Sequence, residues 1–197
     1  MIKRLFDFIC ALFGLILLAP LFVLISLYIR IDTPGPIFFR QERVGINGIL
    51  FRIHKFRTMF LGSSNQGLLT IGSDSRITRS GKFLRKYKID ELPQLIDVII
   101  GNMSFVGPRP EVEEFMNTYP PEIKNKILSV RPGITDMASI MMINENEILS
   151  KYSDNKQAYL DIILPIKQEH YLNYISNQNI WLDIKIIFLT IKKIIFN

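Results

Sequence analysis

Apolar and polar positions divide the chain unevenly. Phe8–Ile29 runs 22 residues without a charge, bounded by Lys3, Arg4 and Asp7 before it and Arg30 after it. About 20 apolar residues suffice for a transmembrane helix, so a single span is the first reading. Pro20 lies inside the run, where it removes a backbone hydrogen bond and clashes with the preceding turn. The halves Phe8–Ala19 and Pro20–Ile29 would be only about 18 and 15 Å long as helices. Each is short of a hydrocarbon core of about 30 Å. Both ends are basic, so the positive-inside bias does not assign them to opposite faces. A helix that bends at Pro20 and returns to the same face fits these observations. A kinked span fits them as well.

Asp32-Thr-Pro-Gly-Pro36 breaks the helical pattern and opens the soluble part. Ile37–Phe39 and Ile49–Ile53 alternate as strands around Gly45-Ile-Asn-Gly48, and Asn47-Gly48 is a strong hairpin signal. Leu61–Asp74 is rich in Gly, Ser and Asn and reads as a mobile loop placed where a lid could be. Arg76–Lys88 reads as a helix with Arg79, Lys82, Arg85 and Lys86 partly on one face. A second helix is expected from an Asp90 N-cap through Ile100, with Pro93 in its first turn and Gly101 ending it. Glu111–Ser129 reads as helix interrupted near Pro120-Pro121, and 144–177 as polar, mostly helical chain.

The tail, Ile180–Asn197, is apolar with a narrow polar arc. Asp183, Thr190, Lys193 and Asn197 fall together at 100° per residue, Lys185 and Lys192 lie to one side, and Trp181 stands at the start. Such a helix either lies in a membrane interface with its lysines snorkelling to headgroups or packs on the core.

Charge and composition narrow the choice. A net charge of +6 over 197 residues points to an anionic partner: headgroup, nucleotide phosphate or nucleic acid. Cys10 is the single cysteine, which precludes an intramolecular disulfide, and two histidines make no zinc cluster. There is no Walker A or dinucleotide fingerprint, no Gly-x-Ser-x-Gly and no nucleic-acid module, so no nucleic-acid partner is expected. His54 sits in an alternating strand and reads as structural or surface.

The chemistry-bearing stretch runs from Lys88 to Pro110. Two adjacent carboxylates, Asp90 and Glu91, are followed within twenty residues by a Gly-Pro turn carrying Arg109, and Val130-Arg-Pro-Gly-Ile-Thr135 presents Arg131 in a second such turn. Acidic pairs at helix starts often only complement the helix dipole. Paired arginine turns beside one suit phosphate oxygens and a divalent metal.

These segments resemble the small monotopic phosphoglycosyl transferases of the bacterial sugar transferase family. The proline-broken N-terminal run, Lys55-Phe-Arg-Thr-Met59, Asp90-Glu-Leu-Pro-Gln-Leu95, Met103-Ser-Phe-Val-Gly-Pro-Arg-Pro110 and Val130–Thr135 occur in family order across essentially the whole chain. The resemblance implies a mostly α fold with a small β-hairpin. It implies a re-entrant (helix-break-helix) membrane segment at 1–31, a catalytic domain at 32–197 and an interfacial amphipathic helix at 180–197. It implies Mg²⁺-dependent transfer of a sugar-1-phosphate from a UDP-sugar to polyprenol (undecaprenyl) phosphate, with UMP released. The expected place is the cytoplasmic face of the bacterial inner membrane, among its phospholipids, with downstream glycosyltransferases as further partners. Asp90 would be the nucleophile, and Glu91 would hold metal with it or assist proton transfer. Arg85, Arg109, Arg131, Lys55 and Arg57 would contact phosphate, and Pro20, Arg30 and Trp181 would set the membrane placement.

Three positions depart from the family's usual pattern. Ala19 precedes Pro20 where serine is usual, Asn102 replaces an aspartate, and Thr135-Asp-Met-Ala-Ser139 replaces Thr-Gly-Trp-Ala-Gln, so no particular sugar is inferred. The alternatives are a non-catalytic membrane-anchored interaction protein and a peripheral binder of nucleic acid or anionic lipid.

Overall fold

The computed structural model describes residues 2–63, 74–142 and 144–196. Most of the expected lid loop, 61–74, therefore lies outside the described residues.

Helix α1, Ile2–Asp32, is continuous through Pro20. The expected helix-break-helix is corrected: both sides of the proline keep helical geometry, and the helix loses a bond without ending. At 1.5 Å per residue its 31 residues measure about 46 Å, and it is long and apolar enough to cross a membrane. Its packing is one-sided from end to end. Lys3, Arg4 and Asp7 bind the rest of the chain at one end. Ala11, Leu15 and Leu18 pack on Leu95, Val98 and Met103, and Phe22, Ile25 and Ile29 on Phe56 and Leu84. At the other end the Asp32 carboxylate accepts from the Ser80 amide at 2.8 Å. The opposite face leaves Phe13, Ile16, Leu17, Val23, Leu24 and Leu27 exposed.

Strands β1 (Phe38–Val44) and β2 (Leu50–Phe56) pair antiparallel, with Arg43 opposite Phe51 and Phe39 opposite Lys55. Asn47 (φ 56°) and Gly48 (φ 78°) supply the left-handed turn that the sequence signals. Helix α2, Arg79–Lys86, is shorter than expected because the Thr78 hydroxyl caps it, accepting from Gly81 N. A Cβ on Gly81 would lie 2.1 Å from the Thr58 carbonyl oxygen, so glycine lets α2 seat against the end of β2.

Helix α3 is Gln94–Ile100 with Pro93 at its N-cap, and Gly101 (φ 103°) ends it as expected. Asp90 is not its N-cap. Lys88 takes a left-handed conformation (φ 56°) and turns the chain into a 3-10 turn, Ile89–Glu91, that buries both carboxylates. Strands β3 (Ser104–Val106) and β4 (Gly133–Thr135) pair parallel, Ser104 beside Gly133. Between them α4 (Glu113–Met116) and α5 (Pro121–Leu128) divide at the Pro120-Pro121 pair. After β4 come α6 (Met137–Met141), α7 (Glu145–Leu149) and α8 (Asn155–Ala158). A π-helical stretch, Tyr159–Ile163, then leads into α9, Leu164–Asn177. Their main core gathers Phe115, Met116, Tyr119, Leu149, Tyr159, Ile163 and Tyr171.

Helix α10, Ile180–Ile195, inverts the usual polarity. Its polar arc faces inward: Asp183 is 1 % exposed and accepts from Tyr174 Oη (2.7 Å) and Lys3 Nζ (2.5 Å), and Thr190 meets Thr135 at 2.7 Å. Ile186 shares that face, while Trp181, Phe188, Ile191 and Ile195 are exposed on the other. Monotopic membrane character is consistent with this outward stripe beside the bare face of α1.

Candidate active site

Asp90 and Glu91 sit on adjacent positions of one 3-10 turn yet have opposite surroundings. Glu91 is 9 % exposed and fully partnered: Lys55 Nζ donates to Oε1 at 2.8 Å, and Arg109 forks onto both oxygens, Nη1 to Oε2 at 3.2 Å and Nη2 to Oε1. Asp90 is 7 % exposed, and its Oδ1 is buried with no hydrogen-bond partner. A buried carboxylate oxygen without a donor is costly, and native structures keep such groups rare.

The charges follow from this asymmetry. Burial, reinforced by the neighbouring Glu91 charge, pushes the Asp90 carboxyl above its usual value against the pull of Lys55, Arg85 and Lys88. Burial acts on Glu91 in the same sense, but Arg109 and Lys55 outweigh it and hold Glu91 well below the usual range. Arg109 is held more firmly protonated by Glu91, whereas burial lowers Lys55 despite that same carboxylate. The pair thus divides its labour: Glu91 anchors two cations, and Asp90 keeps an oxygen uncommitted.

The structure sorts the sequence candidates. Lys55, Arg85 and Arg109 gather with the acidic pair; Arg85 Nε also donates to Thr58 Oγ1 at 3.0 Å. Arg57 goes elsewhere, since its guanidinium donates to the Pro34 carbonyl (2.6 Å), the Thr33 carbonyl (2.7 Å) and the Thr33 hydroxyl (2.9 Å). Lys55-Phe-Arg-Thr-Met59 therefore splits between tasks: Lys55 serves the acidic pair, Phe56 the core, Arg57 the turn after α1, and Thr58 the α2 N-terminus. The two arginine turns do lie together, with Gly133 N donating to the Pro108 carbonyl at 2.9 Å. Arg131, however, sends Nε to the Gly101 carbonyl at 2.8 Å, at the C-terminus of α3. Of the membrane candidates, Trp181 is 81 % exposed, Pro20 is exposed in α1, and Arg30 donates to the Gly35 carbonyl.

Two participants escaped sequence reasoning. Asp97, fully buried on α3, accepts from the His54 backbone and from its ring Nδ1, both at 2.8 Å, which fixes β2 against α3 and keeps His54 structural. Arg43 approaches the Glu91–Arg109 pair from β1, and hairpin register was the available signal, because it sets Arg43 on the face that carries Lys55.

Sequence comparison decides the family: its profile, described as bacterial sugar transferase, matches residues 1–197. The chain belongs to the bacterial sugar transferase family. A UDP-N-acetylgalactosamine-undecaprenyl-phosphate N-acetylgalactosaminephosphotransferase of Aeromonas hydrophila is 38 % identical over 98 % of this chain and 44 % of its own length. The UDP-glucose:undecaprenyl-phosphate glucose-1-phosphate transferase of Escherichia coli K12 is 37 % identical over 98 % of this chain and 40 % of its own. A sugar transferase of Bacillus subtilis named as uncharacterised is 35 % identical over 98 % of this chain and 87 % of its own. The chain thus spans less than half the length of the first two of these family members. Among its described residues no three His, Cys, Asp or Glu gather into a metal cage.

Proposed function

We propose that this chain moves a sugar-1-phosphate from a UDP-sugar to polyprenol phosphate, with Asp90 as the nucleophile. The uncommitted, buried Oδ1 of Asp90 beside a neutralised Glu91 carries the reading. An oxygen held by no donor is free to attack phosphorus, and its raised proton affinity makes it a stronger nucleophile once ionised.

In the first step Asp90 attacks the sugar-side phosphorus of the diphosphate. The bond from that phosphorus to the bridging oxygen breaks, and UMP leaves. In the second step a phosphate oxygen of the polyprenol acceptor attacks the same phosphorus, and the aspartyl bond breaks to restore Asp90. Arg85 and Arg109 offset the charge of the transferring phosphoryl group. Lys55 and Arg109 keep Glu91 from adding to the repulsion. Asp90 and Glu91 are the carboxylates that would hold magnesium: Asp90 would offer the carboxylate oxygen not used in attack, and Glu91, whose two oxygens already take Lys55 and Arg109, would have to give up one of those bonds to join it. Magnesium is usually held by one or two carboxylates plus substrate phosphates, and when bound would screen the diphosphate charge.

The enzyme works at one membrane face, the cytoplasmic face of the inner membrane, where UDP-sugars are available and later glycosyltransferases can receive the product. Both ends of α1 are tied to the same domain, which supports a monotopic arrangement. The apolar faces of α1 and α10 would meet lipid. A tag before Lys3 should then be reached from the cytoplasmic side, and labelling solely from the periplasm would overturn this placement.

The test of the reaction is UMP release by nanodisc-held protein given undecaprenyl phosphate, magnesium and a panel of UDP-sugars. Release with one donor, abolished by EDTA and by Asp90→Asn, is expected. Undiminished release by Asp90→Asn would overturn the assignment. No release with any donor would favour the membrane-anchored interaction protein.

A further inference from the structure

Arg109 holds Glu91 from a turn of only four residues, Gly107-Pro-Arg-Pro110, in which two prolines cannot donate backbone hydrogen bonds. The turn is held from outside. Gly133 N donates to the Pro108 carbonyl at 2.9 Å, and Val44 N donates to the Glu111 carbonyl at 2.9 Å. Tyr159 Oη donates to Glu111 Oε1 at 2.8 Å. The carbonyl directly after Arg109, that of Pro110, accepts from Arg43 Nη1 at 3.0 Å, while Arg43 Nη2 donates to Gln41 Oε1 at 2.7 Å. Arg43 stands among Glu111, Arg109 and Glu91, close enough for their charges to act on it.

Placing a further, half-buried cation near Arg109 is unfavourable unless it does something that a neutral residue cannot. A planar guanidinium can donate to two fixed acceptors at once, whereas an ammonium is a point charge on a flexible stem. The second acceptor, Gln41, lies two residues away on the same strand face, so β1 acts as the rigid rail and the Pro110 carbonyl as the part being located.

We propose that Arg43 is a positioning residue: it fixes the Pro110 carbonyl so that Arg109 is presented to Glu91 and to a substrate phosphate. It touches neither the acidic pair by hydrogen bond nor, in this scheme, the substrate. The inference rests on the reading that Arg109 faces phosphate, and it adds a specific dependence of Arg109 on β1.

A double-mutant cycle of Arg43→Met and Arg109→Met in nanodiscs tests it. The cycle is read twice, in kcat/KM for sugar-phosphate transfer and in the dissociation constant for magnesium pyrophosphate. Arg43→Met is expected to cost about tenfold to a hundredfold in kcat/KM. In the Arg109→Met background the same change should cost less than about threefold, because the residue it positions is already gone. Arg43→Lys should recover the melting temperature without recovering the rate, since it restores charge and stem but not the two-acceptor fork. Equal, additive losses in both backgrounds would overturn the proposal, as would full recovery of rate by Arg43→Lys. Wild-type protein that binds pyrophosphate but transfers nothing would sink the transferase reading alone. The pyrophosphate cycle would still decide the role of Arg43.

Discussion

Glu91→Gln removes the charge that Lys55 and Arg109 share while keeping the side-chain shape. Taking one partner from a buried ion pair costs about 3–5 kcal/mol, because the other charge stays buried and uncompensated. Here Gln retains an acceptor oxygen, and the Lys55, Glu91 and Arg109 side chains are 17, 11 and 29 % exposed, so water screens part of the loss. The lower end, about 3 kcal/mol, is expected, and for a domain of this size it lowers the melting temperature by about 6–12 °C. Calorimetry in nanodiscs measures it.

The pH dependence sharpens the same test. Glu91 is depressed in the folded protein, so its stabilisation is present above the ordinary carboxylate range and fades as pH falls toward its lowered value. The stability gap between wild type and Glu91→Gln should therefore narrow in acid. Asp90 moves oppositely. It is raised first by burial and then by Glu91, so removing the Glu91 charge shifts the acid limb of the rate profile to lower pH. A melting shift under about 2 °C with an unmoved acid limb would refute the asymmetric pair.

Three further outcomes follow from placement. Arg57→Met should destabilise by about 2–4 kcal/mol through its lost bonds to Thr33 and Pro34, while the KM for the donor changes less than about threefold in the protein that folds; a larger KM change would return Arg57 to the phosphate site. Gly133→Ala places a Cβ 2.2 Å from Gly107 N, where only backbone can move, so a loss above about 3 kcal/mol is expected, read as collapse of folded yield. On α10, Phe188→Asp should reduce the membrane-bound fraction in vesicle flotation with little change in melting, whereas Asp183→Ala should lower melting by unpairing Lys3 and Tyr174; the reverse pattern would contradict an outward lipid face.

Local signals proved legible where a residue's own backbone preference decides. Asn47-Gly48 makes the hairpin turn, Gly101 stops α3, and Pro120-Pro121 divides α4 from α5. The acidic pair stood out in the sequence as a candidate, but its local structure did not. Its 3-10 turn depends on Lys88 accepting a left-handed backbone and on partners 36 and 18 residues away, which no local pattern reports. Arg57 and Arg131 carried the right chemical type, yet Arg57 turns its guanidinium to Thr33 and Pro34 and Arg131 gives its Nε to the Gly101 carbonyl, choices set by tertiary distance. The polar arc of α10 was legible as an arc. That it faces inward depends on Lys3, Tyr174 and Thr135 waiting there. Pro20 misled in a different way: a proline weakens a helix by a bounded amount, and the packing of α1 along the domain holds it continuous.

The most direct test of Asp90 as nucleophile is intact-protein and peptide mass spectrometry after rapid quenching with the accepted UDP-sugar, before any polyprenol phosphate is added. The expected result is one added sugar phosphate on the peptide containing Asp90, discharged by the acceptor and absent from Asp90→Asn. UMP release without an adduct, or an adduct on another residue, would contradict the account.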